Sequence, residues 1–258
     1  MLGRRDFVKS ALLASAFPSS PCESAQAQEQ LEEEQAGDPD RPPRTVVFNP
    51  KAIDVVVDPG KSLGLRKDPQ QIAQQILRIG ESNVGISEDS NPEFVETLFK
   101  VLNVPSRKND GTLQPFCAAG VSFAACTAYC DIDPSKISHD ETNVVRVFRD
   151  VLSDINKFYF LPHCATRYMV EDSKRRGTWV DASRNRVAAH PGWLAFFSWR
   201  RNKLPNHVGI VKSSHGGLKT IEYNTSSGSG GSQSNGGVVA SRDRTADMDY
   251  VMGYIAID

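Results

Sequence analysis

The stretch that decides the fold is Asn206-His207-Val208-Gly209-Ile210-Val211 followed by Thr220-Ile221-Glu222-Tyr223-Asn224. Both segments alternate in the way a half-buried strand does, and the Ser213-Ser214-His215-Gly216-Gly217 stretch between them has turn composition. The pair reads as an antiparallel hairpin. A turn centred between Ser214 and His215 sets His207 opposite Glu222, Val208 opposite Ile221 and Val211 opposite Leu218. Opposed residues share a face, with Cβ atoms about 5 Å apart, and Asn224 lies two residues further along on that face.

Strands also bracket the hairpin. Trp193 to Trp199 is apolar and aromatic, Val251 to Ile257 reads as a last short strand, and residues 226–237 form a Ser/Gly-rich loop. Upstream the pattern is helical. Asp68-Pro69 opens a helix with Ile72, Ile76, Leu77 and Ile79 at helical spacing, closed by Gly80 and Gly85. Asn91-Pro92 opens a second, carrying Phe94, Val95, Leu98, Phe99 and Leu102. A third follows Gln114-Pro115-Phe116, with Cys117, Val121, Ala124, Ala125 and Ala128 on one stripe of small side chains. Residues 131–160 are polar, then helical around Val144 to Ile155; another helix runs from about Cys164 to Arg176 and stops at Gly177. Short extended segments are expected within 44–58. Helices first and antiparallel strands afterwards give an α+β domain over residues 69–258.

The N-terminus has a different character. Gly3-Arg4-Arg5-Asp6-Phe7-Val8-Lys9, a weakly apolar stretch from Ser10 to Phe17 and the small residues Ala25 and Ala27 resemble a twin-arginine export signal over residues 1–27. Cys22 follows Pro21 rather than a small flexible residue, which argues against a lipid anchor. Residues 28–68 begin with an acidic stretch: positions 29–40 hold six acids and no base, which reads as a solvated tether. The expected location is therefore periplasmic or secreted, with the twin-arginine translocase as the partner during export.

Composition excludes several classes. The chain has 258 residues, 30 Lys+Arg against 31 Asp+Glu, and 39% hydrophobic residues, enough for a core. Near-neutral charge argues against a nucleic-acid binder, and no apolar run reaches the about 18 residues of a spanning helix. A monomer without cofactor is expected. Asp131-Ile132-Asp133 lacks the glycine and late glutamate of a calcium loop, so no metal is expected.

The residue types that remain point to a thiol nucleophile. The thiolate is the attacking species, and the N–H groups of a helix N-terminus favour it. Cys117 occupies the first turn of the third helix, whereas Cys126 and Cys130 lie two and three turns later. By position alone a small buried core cysteine fits Cys117 as well. Of five histidines, His139, His163, His190 and His215 sit in loops or at element boundaries and read as surface or capping residues; His207 alone begins a strand, the rigid mount a general base needs. Glu222 or Asn224 is placed to fix its tautomer. If either can serve, Glu222→Gln is expected to do less damage than Cys117→Ala or His207→Ala. A cross-strand His–Glu pair on the surface, worth well under ~1 kcal/mol, is the plain alternative.

These residues resemble the CHAP domain family, the cysteine, histidine-dependent amidohydrolases/peptidases. Phe116-Cys117-Ala118-Ala119-Gly120-Val121-Ser122 is similar to its nucleophile segment. Pro191-Gly192-Trp193-Leu194-Ala195-Phe196-Phe197 is similar to its Pro-Gly-Asp-hydrophobic strand, and Asn206 to Val211 to its histidine strand. Ile221-Glu222-Tyr223-Asn224-Thr225-Ser226 with the Gly/Ser loop is similar to the strand and turn that follow. The resemblance covers about residues 70–258. It departs at Phe116, where tryptophan is usual, at Gly120, where phenylalanine is frequent, and at Trp193, which replaces the aspartate; Phe116 and Trp193 are thereby marked as substrate-cleft residues. The resemblance implies a papain-like fold with the Cys helix packed on an antiparallel sheet. It also implies hydrolysis of a peptidoglycan amide, either at muramoyl-L-alanine or within the stem or cross-bridge peptides. The rivals are another acyl transfer on the same fold, or protein deamidation, which would leave murein uncleared. An exported binding protein with a decayed site would show no preferential thiol labelling of Cys117.

In an exported protein the remaining cysteines read as disulfide candidates. Cys130 ends one helix and Cys164 begins another, and a bridge between them closes the 131–163 excursion at its base. Cys126 competes for the same partner, and the absence of any bridge is the third alternative; either pairing leaves Cys117 a thiol.

Overall fold

The computed structural model describes residues 68–100, 102, 104–129, 159–182, 189–200, 204–227 and 232–258. The proposed signal, residues 1–27, and the tether up to residue 67 lie outside the described residues, as do the extended segments expected at 44–58, the Asp131-Ile132-Asp133 stretch and the helix expected at 144–155.

Four helices are described: α1 (Pro69–Ser82), α2 (Pro92–Lys100), α3 (Cys117–Tyr129) and α4 (Thr166–Arg176). The Asp68 side chain caps α1 by accepting from the Gln70 N–H, with Pro69 in the first turn, where a missing N–H costs nothing. Its apolar face, Ile72, Ala73, Ile76 and Ile79, is buried. α2 buries Phe94, Val95, Leu98 and Phe99. α4 stops where Gly177 turns left-handed at φ 75°, closing the helix end with N–H bonds to Lys174 and Ser173 carbonyls.

The strands are β1 (Trp179–Asp181), β2 (Leu194–Phe197), β3 (His207–Ser213), β4 (Lys219–Thr225), β5 (Val238–Asp243) and β6 (Val251–Ile255). They form one antiparallel sheet in the order β1-β6-β2-β3-β4-β5, with the last strand inserted between β1 and β2. The α+β organisation expected from the sequence is present. Three elements in it were not anticipated: β1, the edge strand β5 and a 3₁₀ segment, Thr245–Tyr250. β5 buries only Val239 and Leu-rich alternation is missing from Val-Val-Ala-Ser-Arg-Asp, so an edge position leaves little pattern to read.

α3 is the central helix. It packs on β3 and β4 and against α1. A single apolar stripe was expected; instead every residue from Cys117 to Ala128 is buried, as for a helix covered on all sides. Its polar Ser122 is satisfied by His163, donating to the carbonyl and accepting from the N–H, both at 2.9 Å. The helix can lie this close to the sheet because of Gly120. A Cβ there would fall 2.3 Å from ring carbons of Tyr223, whose hydroxyl is held by the Asn83 amide at 2.8 Å. The Tyr223 ring fills the space that a larger residue at 120 would need. Gly120→Ala is therefore expected to destabilise the protein by about 1–3 kcal/mol in a thermal melt, although alanine is the better helix former. A variant that melts with the wild type would contradict this packing.

Candidate active site

The hairpin register differs from the one expected. Glu222 pairs with Gly209, Ile221 with Ile210 and Thr220 with Val211, and a bulge then sets Ser213 opposite Lys219. The cause is a longer turn, with Gly216 and Gly217 both at positive φ (75° and 125°). His207 is thus not directly opposite Glu222; it is displaced two residues along the same face. Diagonal neighbours on one face remain within reach of long side chains. Gly209 opens the way, since a Cβ there would lie 2.7 Å from Glu222 Cγ. The carboxylate leans past the glycine and meets His207 Nε2 at 2.8 Å.

Glu222 is surrounded by donors. Oε2 accepts from His207 Nε2 and from Arg244 Nη2, the latter at 2.5 Å. Oε1 accepts from Arg244 Nε at 2.7 Å and from Thr220 Oγ1 at 2.6 Å. Two of these four contacts come from a guanidinium, which has no acceptor to offer, so the carboxylate is ionised. Burial opposes that charge, but the Arg244 hydrogen bonds and the His207 interactions outweigh it and bring the Glu222 pKa down to about 2. The network also assigns the tautomer: Nε2 of His207 carries hydrogen, which leaves Nδ1 as the basic nitrogen of the neutral ring.

That nitrogen is buried and makes no hydrogen bond of normal geometry. The neighbour left for it is the Cys117 thiol. For His207, burial disfavours the charged ring, while the nearby Cys117 and the hydrogen-bonded, charged Glu222 favour it; the favourable contributions win, and the pKa rises to about 9. Cys117 keeps 5% of its surface exposed and His207 none. Both residues are buried, Cys117 slightly less completely.

Aromatic rings wall off the other side. Trp199 stacks on Phe197 with centroids 4.9 Å apart and both rings flank His207. Arg244, only 2% exposed, lies over the Trp199 ring at 4.8 Å. Its Nη1 donates to Gln233 Oε1 at 2.7 Å and to Asp247 Oδ2 at 3.2 Å. The β2–β3 connection is fixed by Asn206, which accepts from the Trp199 N–H and donates its own N–H to the Phe197 carbonyl.

Asn224 does not orient His207. It sits in the left-handed region at φ 57°, where the β4–β5 register shifts, a conformation asparagine tolerates better than most residues. Its amide donates to the Ser234 carbonyl and to Asn235, and its oxygen accepts from the Gly237 N–H. Asn224 therefore holds the end of the Ser/Gly-rich loop. The two expected cleft residues also take other places: Phe116 and Trp193 are buried in the core, and Trp193 stacks on His190 at 4.9 Å. Of the remaining histidines, His163 is half-buried and has the capping place expected of it: its Nδ1 accepts from the Ala165 N–H just before α4, and burial pushes its pKa down to about 4. His139 lies outside the described residues.

Arg244, Thr220, Trp199 and Gln233 were not singled out by sequence. Thr220 was within reach, being two residues before Glu222 on an alternating strand. Arg244 was not, since nothing in Arg242-Asp243-Arg244 separates it from a solvated charged strand end.

Cys164 is in a disulfide, whereas Cys117 and Cys126 are thiols. Cys126 is thereby removed as the competing partner, and the expected partner Cys130 lies outside the described residues. Among the described residues no group of His, Cys, Asp or Glu is arranged to hold a metal ion, and no helix is long and apolar enough to cross a membrane. No family model, no curated protein and no solved structure matches the chain, so its chemistry is read from the Cys117, His207 and Glu222 arrangement itself.

Proposed function

We propose that the protein is an exported cysteine-dependent amidohydrolase or endopeptidase of the CHAP type, with a papain-like disposition of helix and sheet, acting on an amide bond of peptidoglycan. The observation that carries the reading is the saturated Glu222 carboxylate, which fixes hydrogen on His207 Nε2 and leaves Nδ1 for the Cys117 thiol at the start of α3. The proton passes from Sγ to Nδ1, and the thiolate attacks the amide carbonyl. First-turn N–H groups of α3 have no acceptor within the helix and are available to the oxyanion; one such donor is typically worth about 10²–10³ in rate. The imidazolium returns its proton to the leaving amine, and water resolves the thioester with His207 again as base. Neither metal nor cofactor takes part in this scheme. The Arg4-Arg5 start and the disulfide at Cys164 support export, the first by its signal character and the second by the compartment it needs. A transferase reaction would use the same acyl-enzyme with another acceptor than water.

The test is digestion of purified murein by the mature protein, with mass spectrometry of the fragments. New amine and carboxyl termini at one type of amide bond are expected, and they identify the bond. Intact murein after prolonged incubation would overturn the substrate assignment. The pH profile carries a second expectation. His207 has its proton below its folded pKa and can take the Sγ proton only once it has lost it, so kcat/KM is expected to fall as pH drops through about 9, the acid limb of the profile. A limb near the ordinary histidine value, about 6.5, would contradict the network.

A further inference from the structure

We propose that Arg242 and Arg244 form a carboxylate-binding subsite beside the active site, in which a carboxylate oxygen of a peptide substrate takes the place held by the Gln233 carboxamide oxygen. The inference rests on the proposed function for its substrate and adds to it a preference for a free carboxylate. Its basis is one shared acceptor. Arg242 lies on β5 and Arg244 directly follows that strand. Both side chains converge on Gln233 Oε1, which accepts from Arg242 Nη2 at 2.9 Å and from Arg244 Nη1 at 2.7 Å. A neutral oxygen thus sits between two guanidinium ions, whose donor nitrogens are held within about 6 Å of each other and repel. Hydrogen bonds to an ionised acceptor are roughly twice as strong as those to a neutral one, and the guanidinium fork matches a carboxylate. A carboxylate is therefore the better occupant of this position.

The position adjoins the catalytic residues. Arg244 grips Glu222 through Nε and Nη2 and offers Nη1 to Gln233, so one guanidinium separates the subsite from the carboxylate that orients His207. Arg244 is enclosed, whereas Arg242 and Gln233 are half-buried, so the network meets solvent on the Gln233 side. The exchange requires only a side chain to swing. The Gln233 carbonyl accepts from Thr225 Oγ1 at 3.4 Å and the Ser234 carbonyl from the Asn224 amide at 3.1 Å, which keeps the backbone in place. The Gln233 NH₂ donates to Ser226 Oγ at 3.2 Å, a hydroxyl that can turn and donate to a carboxylate instead. Arg242 Nη1 is taken by the Ser226 carbonyl at 2.9 Å. Arg244 Nη1 also meets Asp247 Oδ2 at 3.2 Å, but Asp247 is one-third exposed and screened by water.

The experiment titrates acetate into the purified protein, against sodium chloride at the same ionic strength, and reads the rise in Tm. Gln233→Ala removes the resident oxygen, and acetate is expected to bind it at least about tenfold more tightly than the wild type, where the intramolecular group competes. Adding Arg242→Gln is expected to return the affinity to within about twofold of the wild type. Acetamide, the neutral isostere, is expected to raise Tm in none of the three. Should Gln233→Ala fail to fold, Gln233→Glu decides: it builds the carboxylate into the chain and is expected to melt about 2–4 °C above the wild type. With murein, amidating the free carboxylates is expected to raise KM for the wild type about tenfold with kcat little changed, and Arg242→Gln is expected to erase the difference. An acetate affinity in Gln233→Ala within about twofold of the wild type overturns the proposal, as does a gain that survives Arg242→Gln. So do equal KM values for amidated and untreated murein, or, where Gln233→Ala is unfolded, a Gln233→Glu protein that melts no higher than the wild type. Murein left uncut, with acetate behaving as stated, would sink the proposed function and leave the subsite standing.

Discussion

Replacing Cys117 with alanine is expected to abolish amide hydrolysis, by about 10⁴-fold or more, with the fold unchanged. The side chain is small and lies in the first turn of α3, and the substitution removes only a sulfur from a helix already rich in alanine. His207→Ala is expected to reach a similar loss, since members of such a unit fail together. It carries a stability cost as well, because Glu222 loses one of its four donors inside the protein. The check is murein digestion by each variant at matched folded concentration. Turnover by Cys117→Ala at the wild-type rate would remove the nucleophile from the account.

The second large effect is at Glu222. From the sequence, Glu222→Gln is expected to do less damage than loss of Cys117 or His207, with Asn224 able to substitute. The structure reverses that expectation. All four contacts to the carboxylate come from donors, so a carboxamide sets its NH₂ against at least one of them. Removing the charge also strands Arg244 and His207 without their anion. Breaking one side of a buried ion pair costs about 3–5 kcal/mol. For a domain of this size that is a fall of about 10 °C in Tm. Asn224 has no free amide group to offer, because both its ends hold the 232–237 segment. Glu222→Gln is therefore expected to melt well below the wild type and to lose hydrolysis with it. A melt within about 1 °C of the wild type would show that the four-donor arrangement is not what holds the carboxylate.

How far the sequence was readable follows from what each element depends on. Helices α1, α2 and α4 announce themselves through local signals, Asp68-Pro69, Asn91-Pro92 and Gly177, and these carry over into the structure. Strand parity was also legible, which is why His207 and Glu222 fall on one face. Register was not. It depends on φ values at Gly216 and Gly217 and on a bulge near Ser213, features that a turn-centre count ignores. The role of Asn224 was missed for a similar reason: its left-handed backbone at the β4–β5 irregularity turns the amide toward the loop. Arg244 follows the edge strand β5 and reaches Glu222 across the sheet, a contact between residues 22 positions apart that no local pattern encodes. Phe116 and Trp193 stood out as unusual residues beside the site, but large apolar side chains gain most from full burial, and the core takes both.

The central claim is that Cys117 is the nucleophile. It is tested most directly by titrating activity against alkylation of that single residue. Iodoacetamide is added in increments to the purified protein, the labelled fraction of the Cys117 peptide is measured by mass spectrometry, and the remaining murein hydrolysis is assayed on the same samples. The account predicts that activity falls in strict proportion to the labelled fraction and reaches zero when labelling is complete. Hydrolysis that persists in protein fully alkylated at Cys117 would contradict it.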